Sequence, residues 1–240
     1  MGNSSRPGAF ISFLPSAVSN FNLQGTEVVI IDVLRASTTI VAALETGAEY
    51  IVPCKSVEET IRQKNHGYLI AGERNSQKLD GFDFGNSPAE ITAQNDLPHP
   101  LALTTTNGTA LIENCMNADK ILIGSFVNLS AIVNYLKHSG KKIILACAGR
   151  EGGFSLEDAL FAGAVASELP IETPSKSWKI GAKLFQHANS RGLAGYIKQN
   201  ASHCRKLLEN GNADDVRICL SIDLYSSLPV MSNKRIFPEK

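Results

Sequence analysis

The sequence predicts an α/β protein with a mostly parallel sheet, helices on both faces of the sheet and a helical C-terminal part. Apolar runs rich in β-branched residues alternate with segments that begin with helix-capping residues over roughly 28–169. The connections between them are short, which is typical of parallel strands covered by helices. After Pro170 the strand signals give way to polar and basic helical patterns.

The stretch from Val28 to Gly47 shows the pattern most clearly. It opens with an apolar β-branched run, as a strand buried on both faces does, and continues into a helical segment that stops at Gly47. Asp32, Arg35 and three hydroxyl residues lie between strand and helix, where free N–H groups and the helix dipole attract anions. We therefore predict that this turn helps to hold a phosphate.

The other elements follow in chain order. An edge strand is predicted at 9–14, a connector at 15–24, and further strands at 48–52, 68–71, 101–105, 120–124 and 141–146. Helices are predicted to start at Ser56, Ser87, the turn 106–109, Asn128 and Ser155, and to cover 175–188, 191–210 and 214–220. Residues 72–88 are predicted to be a long polar loop, and 229–240 an edge segment or tail. We expect 1–170 to be the α/β core and 171–240 a mainly helical part packed on it, or both to form a single domain.

Composition limits the classes of function. The 23 basic and 23 acidic residues balance to a net charge of zero, so we expect no nucleic-acid partner. No apolar run approaches the roughly 18 to 20 residues of a membrane span, and residues 1–7 lack the apolar core of a signal peptide. We therefore expect a cytoplasmic protein that does not contact a membrane.

The five cysteines contain no C-x-x-C pair, which indicates free thiols rather than disulfides or zinc.

Polar residues follow several predicted strands, and ligands bind at the carboxyl ends of parallel strands. The candidates are Asp32, Arg35, Glu73, Arg74, Asn107, Gly108, Thr109, Arg150, Glu157 and Asp158. Arginines bind phosphate in forked geometry, carboxylates hold hard cations such as Mg²⁺, and free N–H groups donate hydrogen bonds to phosphate oxygens. Together these residue types predict phosphoryl-transfer chemistry. Each also has a structural alternative, as a helix cap, a surface ion pair or a plain turn.

The signatures of several hydrolase and nucleotide-binding classes are absent. Cys147 and Arg150 are too close for the loop of cysteine phosphatases, and Asp32 has no second aspartate two positions on. There is no Walker loop, G-x-G-x-x-G, H-E-x-x-H or G-x-S-x-G motif. Apart from His99, none of the five histidines falls in a loop at the expected edge, so we do not expect a histidine-based phosphatase.

Six motifs occur in a fixed order: Asp32-Val-Leu-Arg-Ala-Ser-Thr-Thr39, Gly72-Glu-Arg74, Gly81-Phe-Asp-Phe-Gly-Asn-Ser-Pro88, Thr105-Thr-Asn-Gly-Thr109, Cys147-Ala-Gly-Arg150 and Phe154-Ser-Leu-Glu-Asp158. In this order they resemble the 2-phosphosulfolactate phosphatase family. The resemblance is strong over about 28–163 and fainter over 215–229. It departs from the family pattern at Phe161, where the family carries Cys, and we expect a change of packing there.

The resemblance implies an α/β fold and a Mg²⁺-dependent phosphomonoesterase that converts 2-phosphosulfolactate to 3-sulfolactate in coenzyme M biosynthesis. We expect Asp32, Glu73 and Asp158 to hold Mg²⁺ or to activate water, with direct nucleophilic attack by one of them as an alternative. Phosphate and sulfonate would share Arg35, Arg74 and Arg150, and the N–H groups around Asn107, Gly108 and Thr109 would bind phosphate. Asp83, Asn86 and Ser87 are expected to shape the long loop or complete the site.

Two other functions stay open. One is a phosphatase that acts on another small phosphorylated acid, and the other is a non-catalytic anion-binding module. The carboxylates beside the arginines disfavour the module, because a pure anion binder gains nothing from acidic neighbours. The expected partner is a small anionic substrate, and the sequence leaves a homo-oligomer open.

Overall fold

A computed structural model of the chain describes residues 8–239. It confirms the α/β class, because within this range ten strands form one mostly parallel sheet that is flanked by helices. Residues 1–7, which concern the expected lack of a signal peptide, lie outside the described range. The strands are β1 (Ala9–Ser12), β2 (Thr26–Ile31), β3 (Ile51–Pro53), β4 (Leu69–Arg74), β5 (Gln77–Lys78), β6 (Leu101–Thr104), β7 (Lys120–Gly124), β8 (Lys142–Cys147), β9 (Leu228–Ser232) and β10 (Arg235–Glu239).

Most helices begin at the predicted capping residues. The side chains of Ser56, Ser87, Ser155 and Ser175 each accept a hydrogen bond from the main-chain N–H three residues on. The α-helices are α1 (Ala36–Glu45), α2 (Val57–Lys64), α3 (Pro88–Thr92), α4 (Gly108–Asn114), α5 (Leu129–His138), α6 (Leu156–Glu168), α7 (Lys176–Asn189), α8 (Leu193–Asn200), α9 (Ser202–Glu209) and α10 (Ala213–Cys219).

Two parallel blocks make up the sheet, and the C-terminal hairpin joins them. The first block contains β1, β8, β2 and β7, and the second contains β3, β6 and β4, with β5 antiparallel at its outer edge. The hairpin of β9 and β10 lies between β7 and β3 and is antiparallel to both. The prediction that 229–240 form an edge segment or tail is therefore wrong. The local pattern indicates extended backbone but not which strands become its neighbours.

The hairpin also reverses the direction of the second block. Three successive antiparallel pairings separate β7 from β3, so a flat sheet would place the carboxyl ends of the two blocks at opposite edges. Each junction with the hairpin is a single residue pair, Leu122 with Val230 and Ile51 with Ile236. Buried side chains from both blocks share one apolar cluster with α1 and α4. Even so, the carboxyl ends of β2 and β6 meet, because a Cβ atom at Gly108 after β6 would lie 3.0 Å from Oδ2 of Asp32 after β2.

Two further local predictions are wrong. The segment 191–210 is two helices rather than one, because buried Ala201 adopts an extended conformation with ψ of 116°. This break lets residues on both sides pack into the same apolar cluster. The loop 72–88 is also partly regular, since β4 continues to Arg74 and pairs with β5. Both residues of the connecting turn, 75 and 76, have positive φ, as type I′ hairpin turns require.

The core contains the residues for which packing roles are predicted. All five cysteines are buried free thiols. Phe161 is fully buried, and its ring meets that of Phe126 edge-on with 5.5 Å between centroids. Between residues 8 and 239, no helix combines the length and the apolar character that crossing a membrane requires.

Helices α6 and α7 approach each other closely at a pair of glycines. A Cβ atom at Gly163 would lie 2.2 Å from the carbonyl oxygen of Gly181. We expect Gly163→Ala to lower the free energy of unfolding by about 3 kcal/mol, because the obstacle is backbone and cannot turn away. Gly195→Ala is the matched control in urea unfolding, since a Cβ there meets nothing within 4 Å. An equal effect of the two substitutions would contradict the close approach.

Candidate active site

A small cavity lies where the carboxyl ends of the two blocks meet. Its volume is about 70 Å³, and its wall comes from the turns after β2, β6 and β8, the β4–β5 hairpin, the segment before α3 and α9. Six residues predicted for the site line it: Asp32, Arg35, Glu73, Asn86, Asn107 and Arg150. Turns from separate parts of the chain thus bring two buried carboxylates, one exposed carboxylate at Glu151 and two guanidinium groups to one cavity.

Asp32 follows β2 directly and is buried at the cavity wall. Its Oδ1 accepts a hydrogen bond from the main-chain N–H of Ala36 at 3.3 Å, so the side chain also caps α1. The pKa of Asp32 is raised to about 7, mainly by burial and in smaller part by the carboxylates of Glu73 and Glu157. A carboxyl group with a pKa near neutrality is suited to accept and release protons during catalysis.

Glu73 is held in place by bonds to two segments. Its Oε1 accepts hydrogen bonds from the N–H and the hydroxyl of Thr106, at 3.1 and 3.0 Å, and its Oε2 accepts from the N–H of Ser76 at 2.7 Å. These bonds join the β4–β5 hairpin to the turn after β6. The carboxylate is therefore fixed at the wall of the cavity rather than free to turn.

Arg35 lies at the start of α1 and is held by the C-terminal helices. Its Nη1 donates to Oδ2 of Asp215 at 2.5 Å and to Oδ1 of Asn212 at 3.3 Å, and its Nη2 donates to the carbonyl of Ser76 at 3.2 Å. A guanidinium group has five N–H donors, so these three bonds leave two for a ligand in the cavity. Asp215 is itself fixed, since its Oδ1 accepts from the hydroxyl of Ser87 at 2.6 Å.

Arg150 follows β8 and contacts a histidine that the sequence did not place at this edge. Its Nη1 donates to Nδ1 of His203 in α9. The pKa of His203 is lowered to about 4 by burial and by the guanidinium of Arg150, so the ring is neutral at pH 7 and accepts this bond. His203 also lines the cavity, and the prediction that it lies away from the site is wrong. Because the helical path breaks at Ala201, α9 begins just before His203.

The turn after β6 offers fewer free N–H groups than predicted. The N–H of Thr109 donates to Oγ1 of Thr105 at 3.2 Å and is already satisfied. Asn107 lines the cavity, while Gly108 and Thr109 do not. Gly108 instead lets α4 begin against the site, because a Cβ there would lie 3.0 Å from Oδ2 of Asp32.

Three other candidates also lie outside the cavity lining, namely Arg74, buried Glu157 and Asp158. Buried Asp158 accepts from the N–H of Val33 at 2.9 Å and from the N–H of Gly149 at 3.1 Å, so it ties together the turns after β2 and β8. Burial raises the pKa of Asp158 well above its ordinary value. Arg74 donates to the carbonyl of Glu73 at 2.6 Å. Its side chain points to the opposite face from that of Glu73, because side chains alternate along a strand.

The predicted set of three carboxylate ligands does not assemble. Within the described part of the chain, no group of three or more His, Cys, Asp or Glu side chains is arranged to hold a metal ion. Asp158 is directed at main-chain N–H groups, whereas Asp32 and Glu73 face the cavity. Two carboxylates still fit Mg²⁺, which usually binds through one or two carboxylates with waters and substrate phosphate.

Of the three hydroxyl residues at the start of α1, Ser37 and Thr38 bond to other protein groups, and none of the three lines the cavity. Ser37 Oγ accepts from the N–H of Asp32 at 2.9 Å, and the Thr38 hydroxyl lies 2.6 Å from that of Ser125. Cys147 at the end of β8 is fully buried, and burial raises the pKa of its thiol, which keeps it protonated. Neither group is therefore placed to attack a ligand.

Sequence reasoning missed the residues that the C-terminal helices contribute. Asp215 pairs with Arg35 across 180 positions, and no local pattern signals a contact at that separation. The faint resemblance over 215–229 was the one available signal for this region. His203 had no comparable signal, because its helix reads as an ordinary amphipathic surface segment.

His203 gives the stability of the protein a pH dependence. Its pKa is about 4 in the folded chain and about 6.5 when unfolded, so the unfolded chain binds more protons between these values and stability falls as pH falls. Arg150 and Arg35 lower its pKa, and Glu73 raises it. Between pH 7 and pH 5 we expect this residue to remove about 2 kcal/mol of unfolding free energy. Urea unfolding of His203→Gln should show a pH-dependent loss smaller by that amount, and identical losses would contradict this assignment.

The chain is similar to one protein family over most of its length. The 2-phosphosulpholactate phosphatase family model matches residues 13–234. A Thermotoga petrophila protein named "Probable 2-phosphosulfolactate phosphatase" is 43% identical over 205 residues, covering 85% of this chain and 88% of the relative. A Thermotoga maritima protein of the same name is 42% identical with the same coverage. One from Caldanaerobacter subterraneus subsp. tengcongensis is 35% identical over 223 residues, covering 91% of this chain and 92% of the relative.

Proposed function

The chain belongs to the 2-phosphosulfolactate phosphatase family, and we propose that it hydrolyses the phosphate ester of 2-phosphosulfolactate to give 3-sulfolactate and phosphate. The observation that carries the proposal is one cavity in which Asp32 and Glu73 face Arg35 and Arg150. A substrate with two strongly anionic groups needs two positive sites, and phosphoryl transfer needs precise positioning and charge stabilisation. The placement of this reaction in coenzyme M biosynthesis is proposed from the family alone.

Mg²⁺ is the proposed cofactor, and Asp32 and Glu73 are the residues that would hold it. Burial and the nearby carboxylates raise the pKa of Asp32, and a bound cation would relieve that repulsion. When bound, Mg²⁺ would neutralise charge on the phosphoryl oxygens. Asp158 stabilises this arrangement indirectly, because its carboxylate accepts hydrogen bonds from the turns that carry Asp32 and Arg150.

Asp32 is the proposed proton acceptor in the hydrolysis. The water oxygen forms a bond to phosphorus, its proton passes to the carboxylate of Asp32, and the bond between phosphorus and the ester oxygen breaks. The electron pair of that bond stays on the ester oxygen, which takes up a proton from solvent and becomes the hydroxyl of the product. Oδ1 of Asp32 accepts from Ala36, so Oδ2 is the atom proposed for this step. Direct attack on phosphorus by the same atom is the alternative.

The two guanidinium groups are proposed to bind the phosphate and the sulfonate. Arg35 keeps two N–H donors for this purpose, and Arg150 faces the same cavity while His203 orients it. Arg74 is not included, because its side chain lies outside the cavity lining.

Phosphate release measured with and without metal tests the proposal. We expect release from 2-phosphosulfolactate in Mg²⁺, loss of activity to background in EDTA, and recovery when excess Mg²⁺ is added. Unchanged release in EDTA would contradict the metal proposal. Faster release from 2-phospholactate, which lacks the sulfonate, would indicate a different small acid as substrate. No release from any phosphomonoester tested would favour the anion-binding module.

A further inference from the structure

Asn86 presents an unpaired polar group at the cavity. Its side chain lies just before α3, is only 5% exposed and lines the cavity. Among residues 8–239, three buried side-chain oxygen or nitrogen atoms have no hydrogen-bond partner: Oε2 of Glu27, Oγ1 of Thr39 and Oδ1 of Asn86. Of these three residues, Asn86 alone lines the cavity. The amide oxygen of Asn86 is therefore a buried acceptor without a donor, on a residue that lines the place where a ligand would bind.

The chain holds Asn86 in this position from both sides. The N–H of Gly85 donates to Oε2 of Glu90 at 2.7 Å, and Lys78 donates to Oε1 of the same carboxylate at 2.8 Å. On the other side, the hydroxyl of Ser87 donates to Asp215 at 2.6 Å. These bonds hold the backbone on both sides of Asn86, while the amide can still turn about its terminal side-chain torsion. Asn86 is thus kept at the cavity by its neighbours, with its acceptor left for a bound group.

The chemistry of a phosphatase limits which donor can reach this oxygen. A buried acceptor that stays unpaired costs about 1 to 3 kcal/mol, so a partner supplied by the bound state has a clear effect. The ionised phosphate ester of a small sulfonated acid carries only acceptor oxygens. Hydrolysis adds two species with O–H groups, namely the attacking water and the alcohol that is released.

We propose that Oδ1 of Asn86 accepts a hydrogen bond from an O–H group bound in this cavity, that of the attacking water or that of the hydroxy-acid product. This inference rests on the proposed function. If the donor is the water, Asn86 orients it, because one water proton goes to Asp32 and the other points at the amide oxygen. If the donor is the product, Asn86 recognises the hydroxyl that replaces the phosphate.

Kinetics and calorimetry on the Mg²⁺-loaded protein distinguish the two sources. The variants are Asn86→Ala, which removes the acceptor, Asn86→Ser, which keeps a smaller one, and Asn114→Ala as the control at the exposed far end of α4. Each is assayed for kcat and KM, and for its affinity for 3-sulfolactate and for 3-sulfopropanoate, which lacks the hydroxyl. Circular dichroism verifies folding.

A water donor predicts that kcat of Asn86→Ala falls at least about tenfold while both affinities stay unchanged. A product donor predicts about tenfold weaker binding of 3-sulfolactate and unchanged binding of 3-sulfopropanoate. In either case Asn86→Ser should recover part of the loss, and Asn114→Ala should match the wild type.

Three results would overturn the inference. One is wild-type kcat and affinities in Asn86→Ala, and another is an equal loss of affinity for both acids, which would indicate packing or an N–H contact. The third is a loss of Mg²⁺ affinity measured by calorimetry without substrate, which would make Asn86 a metal ligand. Failure of the proposed function is separate, since it would appear as no phosphate release by the wild type. The comparison of the two acids would then still decide the role of Asn86.

Discussion

Replacing Asp32 with asparagine is expected to lower kcat for phosphate release by about 10²- to 10⁴-fold, the range that a positioned acid or base contributes. The substitution preserves the shape of the side chain but removes its negative charge and its capacity to accept a proton. Mg²⁺ affinity should also fall, because one of the two carboxylates proposed to hold the ion is lost. The measurement is phosphate release under saturating substrate and Mg²⁺, with calorimetry for the metal.

Asp32→Asn should fold normally, so a loss of activity can be attributed to the missing carboxylate rather than to unfolding. The amide oxygen can still accept the hydrogen bond from Ala36. A neutral side chain also avoids the cost of burying a charge, which is the main reason that the pKa of Asp32 is raised. We therefore expect a free energy of unfolding equal to or above that of the wild type. Asp80→Asn, an exposed position on the segment after β5, is the matched control and should keep full activity. Wild-type activity in folded Asp32→Asn would remove Asp32 from the mechanism.

Local signals in the sequence predicted most of the secondary structure. The serine caps at 56, 87, 155 and 175 accept the hydrogen bonds expected of them, because capping depends on residues within one helical turn. The place of β9 and β10 in the middle of the sheet could not be predicted in this way. Strand order depends on which distant faces become buried, and a short extended segment carries no local information about its neighbours.

The sequence predicted the candidate site in part, but its residues do not meet in the way that the sequence led us to expect. We expected Asp32, Glu73 and Arg150 at one edge of a single parallel sheet, whereas the two blocks run in opposite directions and these residues nevertheless line one cavity. Residues directly after a strand were the easiest to place, since chain position fixes where they emerge. Asp158 was harder, because its charge suggests a ligand but its oxygens bind main-chain N–H groups.

Removing the carboxylate of Asp215 is expected to lower the free energy of unfolding by about 3 to 5 kcal/mol, the usual effect of leaving one member of a buried ion pair unpaired. The side chains of Arg35 and Asp215 are only 4% and 2% exposed. Asp215 also accepts hydrogen bonds from the hydroxyl of Ser87 and from the N–H of Ala89. Asp215→Ala therefore removes the charged partner of the Arg35 guanidinium and the acceptor of two further hydrogen-bond donors.

The neighbouring residue supplies a matched control for urea unfolding. Asp214 pairs with Arg217 at 3.2 Å on the same helix, but these side chains are 77% and 69% exposed. Exposed pairs contribute little, so Asp214→Ala should change the free energy of unfolding by less than about 1 kcal/mol. The double variant Arg35→Ala/Asp215→Ala should lose less than the sum of the single losses, because the two residues are coupled. Equal effects of Asp214→Ala and Asp215→Ala would contradict the buried pair.

The same substitution tests whether the C-terminal helices take part in substrate binding. Asp215 does not line the cavity, so we expect it to act by holding the guanidinium of Arg35 in place. In the variant, KM for the anionic substrate should rise more than kcat falls, because the proton acceptor Asp32 keeps its own contacts. A change in kcat alone would place the effect at the chemical step instead. Since Arg35 precedes α1 and Asp215 lies in α10, a selective rise in KM would mean that the C-terminal helices complete the anion site.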